Sequence, residues 1–215
     1  MRGVGITQPA PVPDSPGNLL RLLEWCYTNR DVFKYRELFD DNYRFVFGAL
    51  DPDGFAYRDN PWTREDEVQS TTHLFQGGDA NQPAATSITI FLDRNFRVTE
   101  DPNHPGRAHK LVRTSVTLKV VTDQEREITG FANFFVVRGD SAAIPDELRQ
   151  RGFLPDSNRW YILRHEDDTF QETPGASASA PSLAPRFSLA TTPRAVSTED
   201  FLFPSSWGAL KRAYR

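Results

Sequence analysis

Apolar positions change from a helical spacing near the start of the chain to an alternating one further along. Residues 19–27 carry an apolar stripe at helical spacing, and residues 32–39 carry a second. Ser15 followed by Pro16 is a helix start, because serine caps free amides and proline at the first helical position loses only a donor without a partner. The pattern predicts two short amphipathic helices at the beginning of the chain.

A third helix is predicted from its cap. Thr63 is followed three residues later by Asp66, which is the spacing of a capping box, and Trp62 precedes the cap as a hydrophobic staple does. Residues 68–75 continue at helical spacing, and Gly77 ends the helix.

Two long strands follow in succession. Residues 107–122 alternate in polarity, Asp123 and Gln124 form a turn, and residues 127–138 return with apolar side chains on both faces. A strand buried on both faces lies in the middle of a sheet, and Gly130 is the expected place for a bulge or bend. Shorter strands are predicted at residues 43–47, 86–93 and 158–165.

This order of elements predicts an α+β fold, in which a curved antiparallel sheet packs against N-terminal helices. The composition divides the chain into four parts. They are a flexible proline-rich N-terminus (1–14), a folded domain (15–167), a low-complexity linker (168–198) and an amphipathic C-terminal segment (199–215).

The C-terminal segment is too apolar for a solvated tail. Residues 201–215 contain two Phe, two Leu, one Trp and one Tyr, while Lys211 and Arg212 lie near the predicted helix end, where the dipole favours cations. We expect this segment to dock as a short anchor, either on its own core or on a neighbouring subunit or partner.

Composition narrows the function classes. The net charge of −4 gives no basic field for nucleic acid. Cys26 is the single cysteine, so no intramolecular disulfide can form, and its helical position suggests a buried small hydrophobe. No apolar run has the length of a membrane span. The chain as written is expected to be cytoplasmic; the proline-rich stretch 8–16 would instead suit a secreted or lipid-anchored protein if the true start lay upstream.

The order of elements and several short sequences resemble the nuclear transport factor 2-like (NTF2-like) superfamily, in particular bacterial SnoaL-like proteins of unassigned function. The resemblance covers roughly residues 15–167. It is carried by the stretch NLLRLLEWCYTNRDVFKYRELFDD (18–41), the Trp-Thr-Arg-Glu helix start (62–65) and the Asn-Arg-Trp-Tyr strand (158–161). It implies a cone-shaped α+β fold, with helices closing a curved sheet over an apolar cavity, and often dimerisation through the sheet.

Members of that superfamily include ketosteroid isomerase and polyketide cyclases, which use a pocket carboxylate as base with Tyr or Asp donors. No residue of this chain could be assigned to those roles, so no catalytic residue is predicted. Two functions stay open. One is a non-catalytic protein that binds a small apolar ligand or a partner segment, and the other is a small-molecule isomerase or cyclase.

The predicted cavity is apolar and requires no cofactor or metal. Of its lining residues, His73 has two interpretations, a general base or a hydrogen-bonded structural histidine. The residues expected to enclose the cavity are Leu23, Tyr27, Phe45, His73, Phe91 and Phe134.

The other histidines give no metal site. His165 to Asp168 have suitable residue types, but neighbours in a strand point to opposite faces, so the run is interpreted as a solvated strand end. His104 and His109 flank a Pro-Gly turn with no metal-site spacing.

A homodimer through the outer sheet face is also predicted. The long strands exceed what the helices can cover, and Phe131 and Phe135 lie beside Arg113. Exposed apolar area on a sheet usually has a partner.

Overall fold

The computed structural model describes residues 9–48, 51–57, 59–78, 82–171 and 206–215. The described helices are α1 (Pro16–Asn29), α2 (Val32–Arg36), α3 (Arg64–Gln76), α4 (Asp146–Gln150) and α5 (Trp207–Ala213), with a 3₁₀ helix at Pro52–Tyr57. The strands are β1 (Phe39–Val46), β2 (Trp62–Thr63), β3 (Ser87–Leu92), β4 (Arg97–Glu100), β5 (His109–Val121), β6 (Glu125–Arg138) and β7 (Trp160–Gln171).

The strands form one curved sheet in the order β2-β1-β7-β6-β5-β3, and β4 pairs with the free stretch of β5. All pairings are antiparallel except that of β1 with β7, which is parallel. Helices α1 and α3 pack on the inner face of this sheet. The predicted fold class, an α+β cone with a curved sheet against N-terminal helices, is confirmed.

The two helices that shape the cone begin where their caps predict. Ser15 accepts a hydrogen bond from the Asn18 amide at the start of α1, and Thr63 and Asp66 form the reciprocal capping box of α3. The second helix is shorter than its apolar stripe suggests. It ends at Arg36, and strand β1 begins at Phe39. The side chains of that stripe therefore reach the core from two different elements.

The long hairpin is the centre of the sheet, as predicted. Strands β5 and β6 pair from His109 and Val137 to Val121 and Glu125, and β6 pairs with β7 on its other side. Gly130 is not at a bulge; the register shift falls between Phe135 and Val136. Its φ of 140° and its position explain the glycine, since a Cβ would lie 2.4 Å from the Asp168 carbonyl oxygen.

Two apolar clusters hold the fold together. The larger joins α1, α3, α5 and the inner side of the sheet, and includes Cys26, which is fully buried. Burial raises the pKa of the Cys26 thiol, so it is an inert core residue. The smaller cluster lies under α4, whose Glu147 is 2.5 Å from both Arg36 and Arg64.

Several predictions concern residues that lie outside the described ranges. These include most of the proline-rich N-terminus, the linker from residue 172 onward, and residues 201–205 of the C-terminal segment. Strand β7 itself continues to Gln171, past the predicted domain boundary at 167. Across the described ranges, every helix is too short or too polar to cross a bilayer.

Candidate functional site

The interior of the cone is occupied by the chain's own C-terminal helix. Ser206 caps α5 by accepting a hydrogen bond from the Ala209 amide. The helix has seven residues, fewer than an isolated helix needs in water, so its conformation depends on what it contacts. Trp207, Leu210 and Tyr214 all belong to the main core cluster.

Trp207 is the largest side chain of α5 and is almost fully buried. It is 1% exposed, and its indole Nε1 donates to the Tyr27 hydroxyl at 3.1 Å. Its ring contacts His165 edge-on at a centroid distance of 4.6 Å, and Phe134 at 6.4 Å. The indole therefore has both an apolar pocket and a partner for its N–H, as buried tryptophan requires.

Strand β7 binds the first turn of α5 through side chains. The Trp207 amide donates to Thr169 Oγ1 at 2.8 Å, and the Gly208 amide donates to Asp167 Oδ2 at 2.7 Å. The other Asp167 oxygen accepts from the Thr169 amide and hydroxyl. These bonds satisfy amides that a helix leaves without intrahelical partners. Gly208 fits because a Cβ there would lie 2.7 Å from the Phe47 ring.

Lys211 and Glu67 form an ion pair inside the protein. Their side chains are 3% and 1% exposed, and the Lys211 ammonium contacts Glu67 Oε1 directly. Glu67 also accepts hydrogen bonds from the Tyr35 hydroxyl and the Trp62 indole. Ser70 holds the same turn by donating to the Lys211 carbonyl at 2.6 Å. The glutamate is therefore surrounded by donors from three elements.

The end of α5 is bound by α3 and the segment after it. His73 Nδ1 lies 2.9 Å from the Tyr214 carbonyl oxygen, and the Tyr214 hydroxyl donates to the Pro83 carbonyl. Arg215 is 2.7 Å from Asp66 and lies over the Trp62 ring. Every turn of the C-terminal segment from Ser206 on thus has polar partners in the cone.

Burial controls the protonation of the site. It raises the pKa of Asp167 to about 6, against the hydrogen bonds from Thr169 and Gly208 that lower it. Burial, with the nearby Lys211 charge, lowers the pKa of His165 well below its usual value, so His165 is neutral. For Lys211, burial alone would lower the pKa, but the Glu67 carboxylate outweighs it and the pKa is raised.

Two polar groups of the site, one on His165 and one on Tyr43, make no hydrogen bond to α5. Among the described residues, His165 Nε2 has no hydrogen-bond partner. The Tyr43 hydroxyl is fully buried close to Glu67 without a hydrogen bond of normal geometry, and burial raises its pKa. A neutral histidine, a protonatable carboxyl group and a tyrosine are groups that can move a proton.

Four of the six residues expected to enclose a cavity lie together in the core. These four, all at most 3% exposed, are Leu23, Tyr27, Phe45 and Phe134. His73 is half-buried on α3, where it contacts the C-terminal segment. Phe91 points away from the cone and is 53% exposed, because the alternation of β3 places Ile90 and Leu92 inward.

The sequence interpretation missed the polar residues of the site. His165 and Asp167 are 3% and 4% exposed, so the run that contains them is not a solvated strand end. They share the inner face of β7 with Thr169, and that alternation was the available signal. Lys211 is buried, and its role is the ion pair with Glu67 and not only a dipole contact. In the described part of the chain, no three His, Cys, Asp or Glu side chains gather where a metal ion could bind.

Neither family models nor curated proteins match this sequence. Solved structures similar to the chain include a conserved protein from Planctomyces limnophilus (13% identity, 72% of this chain and 92% of that one, TM-score 0.49). A candidate scytalone dehydratase from Novosphingobium aromaticivorans is 9% identical (72% and 80%, TM-score 0.48). An NTF2-like superfamily protein from Salmonella enterica is 10% identical (77% and 94%, TM-score 0.44).

These likenesses, all at TM-scores below 0.5, carry no conclusion about this chain, and the α+β cone described above rests on the chain's own elements and strand order. At these identities the likeness concerns the fold alone. No activity of those proteins is carried over to this chain.

Lys211→Met should strongly destabilise the protein. Removing one partner of a buried ion pair leaves the other charge uncompensated, which costs about 3–5 kcal/mol. Arg212→Met is the matched control, since Arg212 is the adjacent cation of the same helix and is exposed; it should cost at most about 0.5 kcal/mol. Urea unfolding of both variants measures the difference, and equal losses would contradict the role of the Lys211–Glu67 pair.

As the pH falls from 7 to 5, the free energy of unfolding of the unaltered protein should rise relative to that of the Asp167→Asn variant. The folded pKa of Asp167, about 6, lies above its ordinary value of 3.8, so the folded state binds the proton more tightly. The relative gain is about 1.4 kcal/mol over that interval. Chemical denaturation of both proteins at the two pH values tests this. A difference that stays constant, or that changes in the opposite direction, would refute the raised pKa.

Proposed function

We propose that this chain is a non-catalytic binding protein whose cone accepts a short helical segment, and that its own C-terminal segment is one such ligand. The observation that carries the proposal is the pairing of two specific side chains of α5 with the cone. The Trp207 indole meets the Tyr27 hydroxyl, and the Lys211 ammonium meets Glu67. These contacts select a residue pair spaced i, i+4 on a helix, as helix-binding grooves do.

The chemistry of the cone supports recognition more than simple packing. Well-packed apolar side chains usually stabilise a core at least as much as a buried ion pair does. A segment that only filled the interior would therefore not need the Lys211–Glu67 pair. The cone instead places Asp167, Thr169 and Ser70 where they bind backbone atoms of α5. A partner that carries a tryptophan and a lysine at the same spacing would meet the same groups.

A small-molecule isomerase or cyclase is the second candidate. It is supported by the buried carboxyl group of Asp167, with its pKa raised to about 6, beside neutral His165 and buried Tyr43. Against it, both Asp167 oxygens accept hydrogen bonds from the protein itself, one of them from α5. A small apolar ligand would have to displace Trp207 to reach the same residues.

A homodimer through the outer sheet face remains part of the proposal. Of the two phenylalanines expected beside Arg113, Phe131 is 46% exposed with Arg113 4.8 Å above its ring, but Phe135 is 5% exposed and is covered by Arg164. Phe91 adds a second ring, 53% exposed, to the same face. Burying these rings against a second copy would remove exposed apolar area from water. Light scattering at micromolar concentration should give the mass of a dimer. Phe131→Ser should shift it toward the monomer while Leu154→Ser, at an exposed site off the sheet, should not; a monomeric mass for the unaltered chain would remove the proposal.

The C-terminal segment should bind in trans. A chain that ends at Ser197, mixed with a synthetic peptide of residues 198–215, should show saturable binding by calorimetry. A peptide with Trp207→Ala should bind at least about 100-fold more weakly, since truncating a buried tryptophan costs about 3–5 kcal/mol. A peptide with Arg212→Ala should bind within about threefold of the original.

The fold of the shortened chain decides how the result is interpreted. If circular dichroism shows it unfolded, the peptide should restore the folded signal. A folded chain that ignores the peptide would refute the binding proposal. If instead the folded chain isomerises a β,γ-unsaturated ketone, and Asp167→Asn abolishes the reaction, the enzyme candidate replaces it.

A further inference from the structure

A second concave site lies on the outer face of the sheet, across from α5. It is a groove of about 410 Å³, within the usual range for small-molecule sites. Strands β1, β6 and β7 form its floor, and the loop before β5 forms one wall. We call it the outer groove; the residues that give it its chemistry are Arg44, Arg164, His104, His109, Phe135 and Leu163.

The carboxylates of the outer groove are already engaged by the protein. Asp40 accepts hydrogen bonds from the amides of Asn42 and Ala143, one on each oxygen. Asp101 accepts from the Asn103 amide, and its other oxygen lies 3.0 Å from His104 Nδ1. The acceptors that could attract a cation are therefore largely satisfied.

Arg164 differs from two other donors of the groove, Arg44 and His104, which contact the Tyr43 carbonyl and Asp101. Arg164 lies flat on the Phe135 ring, with its guanidinium carbon 3.7 Å from the ring centroid. Its Nε lies 3.2 Å from Glu166 Oε1 and forms an ion pair with that carboxylate, but among the described residues this nitrogen makes no hydrogen bond. A guanidinium held flat on an aromatic ring keeps its edge free for a carboxylate, which it can bind through two parallel hydrogen bonds.

The remaining walls are flat and weakly polar. His104 and His109 stack with their ring centroids 4.8 Å apart and 24° between their planes. Burial, together with His104, lowers the pKa of His109, so its ring is neutral at pH 7. Leu163 and the Phe135 ring add apolar surface to the groove. Such walls suit a planar ring next to the charged group.

We propose that the outer groove binds a small aromatic carboxylate, with Arg164 as the residue that anchors its acidic group. The arginine stacked on Phe135, the engaged carboxylates of Asp40 and Asp101 and the flat walls together define this ligand class. The proposal does not depend on what the cone binds, because the groove and α5 lie on opposite faces of the sheet.

The experiment uses the full-length chain and 4-fluorobenzoate as the probe, followed by fluorine NMR. A fragment of this size should bind with a dissociation constant of about 1 mM. The neutral isostere 4-fluorobenzamide should bind at least about tenfold more weakly, because it lacks the charge that Arg164 pairs with. Arg164→Gln should weaken fluorobenzoate binding to the same extent.

Arg149→Gln is the control, since Arg149 is exposed on α4, outside the sheet face proposed for the dimer, and does not line the groove. It should leave the dissociation constant within about twofold. If Arg164→Gln unfolds the chain, Arg164→Lys takes its place and should still weaken binding, because lysine has no planar fork. Failure of fluorobenzoate to saturate by about 10 mM, equal binding of the benzamide, or equal losses from the Arg149 and Arg164 variants would overturn the proposal.

Discussion

The buried ion pair between Lys211 and Glu67 is the interaction on which the interior of this protein depends. Burying either charge without its partner would cost several kcal/mol, because an unpaired charge inside a protein loses its hydration without compensation. Glu67 is also held inside the protein by hydrogen bonds from Tyr35 and Trp62, which do not belong to α5. The cone therefore needs a cation, and α5 supplies it one turn beyond the tryptophan that fills the apolar part of the space.

This arrangement links the fold to its proposed function. The curved sheet and the two capped helices build a concave interior, and β7 lines it with groups that can bind a peptide backbone. The segment that occupies it is joined to β7 through residues 172–205, so its attachment to the domain is a long connection in sequence. A ligand tethered in this way binds at a high effective concentration, and a free partner would have to exceed that concentration to displace it.

The sequence predicted the parts of the structure that depend on near neighbours. The caps at Ser15 and Thr63 and the hairpin of β5 and β6 follow from spacing, and each lies where it was expected. The boundary between α2 and β1 was misjudged because Phe39 continues a helical stripe by chance of spacing. The parallel pairing of β1 with β7 joins residues more than 100 positions apart, and no local pattern encodes it.

The polar site was harder to predict for the same reason. His165 and Asp167 sit in a run of four charged or titratable residues, which resembles a solvated strand end until alternation assigns every second one to the inner face. Glu67 lies on the charged first turn of α3, and its partner Lys211 is 144 residues away. Neither segment alone indicates a buried ion pair, because a charged residue at either position is equally consistent with a solvent-exposed side chain.

The central claim is that α5 occupies the cone in solution, and the indole N–H of Trp207 reports on it most directly. In a nitrogen-15-labelled chain, the Trp207→Phe variant identifies that resonance among the four tryptophans. The account predicts a dispersed chemical shift and hydrogen exchange far slower than in a free peptide, because Nε1–H donates to Tyr27 inside the core. A random-coil shift with exchange at the rate of a free peptide would show that the helix is not docked and would contradict the account.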